Sequence, residues 1–162
     1  PPELDVFWEN HPHATVMTND CATRSAALAA LDDAPVAHIV AHGVHEPANA
    51  MFSSVELSDG PLLAHEITDL VRPPEHVVLG ASELALTTHR NGDPLGFAGA
   101  LLTGGTRTVV AALTRVGHIS AGVTLTEYHR ALATGLSPAA ALAAATAEDP
   151  VRRPFVCLGW GG

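Results

Sequence analysis

The sequence predicts an α/β fold, a mostly parallel sheet with helices on both faces. Short apolar or β-branched runs alternate with helix-like stretches over nearly all 162 residues, the pattern of strands joined by helical crossovers. Several of those runs are apolar throughout, as strands buried on both faces are. Hydrophobic residues make up 47% and charged ones 15%, enough to fill a core and outside the range of disordered or low-complexity chains. The length suits one domain, residues 1–162.

Residues 14–18 (ATVMT) read as a weak first strand. Thr23 is placed to N-cap a helix over residues 26–31, with Leu28 and Leu31 on one face. Residues 35–41 (PVAHIVA) form a buried-type strand that ends at His42-Gly43. Residues 54–57 form a short strand, and Ser58-Asp-Gly-Pro61 a turn. Residues 64–71 read as a helix that Pro73-Pro74 stops. Residues 76–81 are the next apolar strand and run straight into Ser82-Glu83.

Asp93-Pro94 is an N-cap followed by proline at the first helical position, and Gly104-Gly105 closes that helix. Residues 106–113 are the clearest strand. A long helix covers residues 119–134 and stops at Gly135; Ser137-Pro138 starts another that runs to residue 147. Residues 154–158 make a final strand.

The composition also excludes functions. The net charge is −9, and the eight basic residues are all arginine, which argues against a nucleic-acid or anionic-membrane footprint. No apolar run approaches the roughly 18 residues that span a bilayer. Two cysteines, Cys21 and Cys157, cannot build a disulfide framework, which fits a reducing cytoplasm. The start at Pro1-Pro2, with no secretion signal, suggests part of a larger protein. The glycine pairs match no phosphate-binding loop, so no cofactor is expected.

In parallel sheets, chemistry collects at the carboxyl ends of strands. His42 and Ser82 each follow such an end, 40 positions apart. An imidazole there can act as general base, and Gly43 leaves its own N–H approachable. The backbone N–H groups of Gly43 and Ser82 could together stabilise an oxyanion. Two competing readings use the same residues. Gly80-Ala-Ser82 half-matches a hydrolase elbow, but position 84 is leucine and the histidine would have to be His118 or His129. His38, His42 and His45 with Glu46 suggest zinc, yet lack the tight spacing such sites use. No metal site is assigned, and His38 reads as a strand residue bonded to a neighbour.

The segments Ala37-His-Ile-Val-Ala-His-Gly43, Phe52-Ser-Ser-Val-Glu-Leu-Ser-Asp-Gly-Pro-Leu62 and Val77-Val-Leu-Gly-Ala-Ser-Glu83 resemble the CHAT domain family. So do residues 92–110, residues 128–142 and Phe155-Val-Cys-Leu-Gly159, in the family's order and spacing. The resemblance implies a caspase-like three-layer αβα sandwich of peptidase clan CD, often found behind tetratricopeptide repeats at the end of a larger bacterial protein. It implies a cysteine endopeptidase acting on a protein or peptide. The dyad histidine maps onto His42 and the nucleophile onto position 82. Asp20, and Ser53 within the second matching segment, are assigned to the substrate side.

The departures matter. The family's cysteine is replaced by Ser82, and a hydroxyl, unlike a thiol of pKa about 8.5, supplies no useful anion near neutral pH. The family's Ser-Leu-Trp-x-Val-x-Asp run corresponds here to Ala112-Leu-Thr-Arg-Val-Gly-His118, and Glu83-Leu-Ala-Leu86 lacks the usual Thr-Gly or Ser-Gly. Little or no hydrolysis is expected. Ser82 fits either a native pseudoprotease that binds a peptide or partner, or a Cys→Ser change in an active enzyme.

Overall fold

The computed structural model describes residues 2–46, 48–80, 96–149 and 154–160. Its elements, in chain order, are α1 (Pro2–Asn10), α2 (Arg24–Leu31), β1 (Val36–Ile39), β2 (Gly43–Val44), β3 (Ser54–Leu57), β4 (Gly60–Leu63), α3 (Ala64–Thr68), β5 (His76–Leu79), α4 (Gly96–Gly104), β6 (Thr108–Ala112), α5 (His118–Ala133), α6 (Pro138–Thr146) and β7 (Phe155–Gly159).

Alternation along the central strands builds the layers. Successive side chains of a strand point to opposite faces. Val77 and Leu79 of β5 and Val109 and Ala111 of β6 therefore join one core, with Leu31, Phe97 and Leu101 from α2 and α4. Val78, Val110 and Ala112 join the other, with Leu125 and Tyr128 of α5 and Leu142 of α6. Each large apolar side chain buried this way contributes about 1.5–3 kcal/mol. The sheet runs β1-β5-β6-β7, with β7 antiparallel and the other pairs parallel. This is the αβα sandwich with a mostly parallel central sheet that the sequence predicts.

Thr23 caps α2 as expected, its hydroxyl accepting from the Ala26 N–H at 3.3 Å. Thr23→Ala should therefore lower stability by about 1 kcal/mol, measured by urea denaturation. Ser137 caps α6 in the same way.

Three expectations need correction. Residues 14–18 are not a strand, because among the described residues no strand pairs with them. The turn at Ser58-Asp59 is tighter than expected, and Gly60 and Pro61 belong to β4 instead. The helix starting at Ala64 stops at Thr68, several residues before the prolines. Helix α1 and the short strand β2 extend the predicted set. The Asp93-Pro94 cap lies outside the described residues. Among those described, no helix is long and apolar enough to cross a membrane.

Candidate functional site

Strands β1 and β5 lie side by side and in register, Val36 opposite His76 and Ile39 opposite Leu79. Their carboxyl ends therefore reach the same rim of the sheet. The Gly80 N–H donates to the Ile39 carbonyl at 2.8 Å, carrying the pairing one residue further. A side chain at position 80 would crowd β1: its Cβ would lie 3.1 Å from His38 Nε2 and from Val40 Cγ2. Glycine is what lets the two strand exits run this close.

His42 stands three residues beyond Ile39 and is exposed. Its carbonyl accepts from the Glu56 N–H at 2.8 Å, which fastens it to β3. Gly43 is buried and opposes Val55. The bond at the His42–Glu56 pair makes Gly43 a non-hydrogen-bonded position of the ladder, so its N–H turns away from β3. Among the described residues no carboxylate bonds the His42 ring.

Ser53 is fully buried. Its hydroxyl accepts from the Glu46 N–H at 3.1 Å and lies 3.3 Å from His45 Nδ1, so it braces the loop that follows β2. Asp20 is exposed in a 3-10 turn, Asn19–Cys21, and its carbonyl accepts from the Ser58 hydroxyl at 3.4 Å. The Asp20 turn and His42 are thus anchored two positions apart along one hairpin. Ser82, with its N–H, lies outside the described residues, whose β5 segment ends two positions before it.

A second polar group was only half legible. His38 is bonded to a neighbour as expected, and that neighbour is His129, Nδ1 to Nε2 at 2.9 Å. His38 is therefore turned into the sandwich, away from the exposed His42, and the two do not act as a pair of ligands. His76 Nε2 meets the Tyr128 hydroxyl at 2.9 Å. Phe7 of α1 stacks edge-on to His38 and His129 and closes the cluster. Burial, helped by neighbouring imidazoles, holds His76 and His129 down at about 4. It lowers His38 well below its usual value too, and raises the Tyr128 hydroxyl. The missed signal was the spacing of Glu3, Val6 and Phe7, which gives α1 one buried face.

Cys157, in β7, is half-buried and its thiol is pushed up by burial. Cys21 is exposed.

The site thus joins a buried glycine N–H, an exposed imidazole and two in-register strand exits at one rim. No curated protein matches the chain. The CHAT domain family matches it over residues 2–148, which take in His42, Gly43, Ser53 and position 82. On that match the chain belongs to the CHAT domain family, a caspase-like, peptidase-related group.

Proposed function

We propose that this domain carries the dyad of a cysteine endopeptidase, with His42 as general base and position 82 as nucleophile, and that serine at 82 leaves it with little or no peptide hydrolysis. The observation that supports this reading is the register of β1 and β5. His42 follows Ile39 by three residues and Ser82 follows Leu79 by three, from strand ends that share one rim.

In the ancestral chemistry a thiolate at 82 attacks the scissile carbonyl carbon. The protonated imidazole then gives its proton to the leaving amine, and water hydrolyses the thioester. The outward N–H of Gly43 suits the oxyanion of that step. Asp20 and Ser53 belong to the substrate side, Ser53 by bracing the loop beside Gly43. A serine in the same place needs an imidazole held by a third group, and no described carboxylate fills that role for His42.

The same facts support a second reading, a pseudoprotease that keeps the cleft to bind a peptide or partner protein. The two separate on one variant. In a Cys21→Ser background, Ser82→Cys should react with iodoacetamide at pH 7 roughly tenfold faster than an unactivated thiol, and His42→Ala should abolish the gain. Equal alkylation rates with and without His42 would remove the dyad. A reactive Ser82→Cys thiol that also cleaves casein favours an inactivated peptidase; one that binds without cutting favours the interaction module.

A further inference from the structure

His38 Nε2 is a buried nitrogen with no hydrogen-bond partner. Such an atom weakens a core, and an aliphatic side chain would fill the same space without that cost. What the nitrogen meets is Gly80: a Cβ built there would lie 3.1 Å from it, and at the same distance from Val40 Cγ2. Gly80 is the last described residue before position 82, with one residue between them.

The ring is held firmly. Its Nδ1 is bonded to His129 Nε2 at 2.9 Å, and Phe7 stands edge-on to it with ring centroids 5.8 Å apart. His129 is tied in turn, its carbonyl accepting from Asn10 Nδ2 at 3.2 Å. A flat group bonded at its far edge and packed along one face has no free rotamer to move into. Gly80 is therefore fixed from two directions. The Ile39 carbonyl holds it within the sheet, through the 2.8 Å bond from its N–H, and the His38 and Val40 side chains support it from one face.

We infer, on the reading of position 82 as the dyad nucleophile, that His38 is a positioning residue for it: the ring sets where the chain leaves β5, and so how near the nucleophile comes to His42. A displacement of about 1 Å at a reacting group can slow its chemistry about a hundredfold, so a small support has a large effect. A bonded imidazole suits the task because its orientation is fixed, whereas an aliphatic side chain would repack.

Two substitutions divide the ring. Asparagine can reproduce the Nδ1 position and glutamine the Nε2 position. His38→Asn keeps a polar group for His129 and removes the edge beneath Gly80; His38→Gln keeps that edge and gives up the Nδ1 bond. Both are made in the Cys21→Ser, Ser82→Cys chain, and iodoacetamide alkylation at residue 82 is followed between about pH 6.5 and 9.5. His38→Asn should slow alkylation at pH 7 about fivefold and move its midpoint up toward the ordinary thiol value of about 8.5. His38→Gln should keep the parent rate to within about twofold. A purely structural role predicts the reverse order, because glutamine loses the bond to His129. Gly80→Ala presses on the same contact from the other side and should slow alkylation as His38→Asn does, which decides the matter if His38→Asn does not fold. Equal rates in His38→Asn and His38→Gln, or an unaltered rate in Gly80→Ala, with His42 still required, overturn the positioning role and leave the dyad standing. A parent chain with no His42-dependent gain removes both.

Discussion

Lowering the pH from 7 to 4.5 will remove about 5 kcal/mol from the stability of this protein. The cause is the imidazole cluster between β1, β5 and α5. His76 and His129 stay neutral in the fold down to about pH 4, whereas in the unfolded chain they take up a proton near 6.5. The unfolded state therefore binds more protons across that interval, and stability falls as pH falls. Their contribution is fully present above pH 6.5 and lost on the way to pH 4, up to about 3 kcal/mol for each of the two. His38 acts in the same direction. Folding stabilities of such domains are about 5–15 kcal/mol, so the loss is a large share of the whole.

The geometry explains why the protein cannot adapt. His38 and His129 share one proton in their bond, and a second proton would set two donors against each other. His38 Nε2 is buried with no partner, so a charge there would go unanswered. Among the described residues the titratable groups acting on the cluster are His11, Tyr128 and Cys157, none of which offers a carboxylate. Urea denaturation followed by circular dichroism at pH 7, 6, 5 and 4.5 tests this. Stability that stays level to within about 1 kcal/mol between pH 7 and 4.5 would refute it, and His129→Gln should flatten the slope by about one proton.

Gly159→Ala will be the most damaging single-methyl change at a glycine of the described sheet. Gly159 has a φ of +86°, and a Cβ there would sit 2.1 Å from the Arg107 carbonyl oxygen. That oxygen cannot swing away, because it accepts the Trp160 N–H at 2.8 Å. The left-handed backbone costs about 1–2 kcal/mol for a residue with a Cβ, and relieving the clash costs another 1–3. Gly135 supplies the control: φ is +90° there too, but nothing lies within 4 Å of its Cβ, so Gly135→Ala should cost only about 1–2 kcal/mol. Equal losses of thermal stability in the two variants would show that backbone conformation, and not the β6–β7 contact, sets the cost.

How legible each part was depends on how far its partners lie along the chain. The strands at 76–79 and 108–112 were plain because every residue after His76 and Thr108 is apolar, as in strands buried on both faces. Helices α2 and α6 carried their own N-caps, Thr23 and Ser137, and α5 its stop at Gly135. Residues 14–18 have the composition of a strand and lack a neighbouring strand among the described residues, and composition cannot reveal that. The hairpin β3–β4 hid because Gly60 and Pro61 read as turn residues, though Pro61 can occupy a strand where its missing N–H is not needed.

His42 and Gly43 were identified from their position after a buried strand, a local property. The partnership of His38 with His129, 91 residues apart, was not local and could not be read. Local pattern set the fold class, the helix ends and the candidate residues, because hydrogen bonding and side-chain alternation act over a few positions. Strand order and the buried imidazoles were decided in three dimensions, where distant segments compete for the same apolar surface.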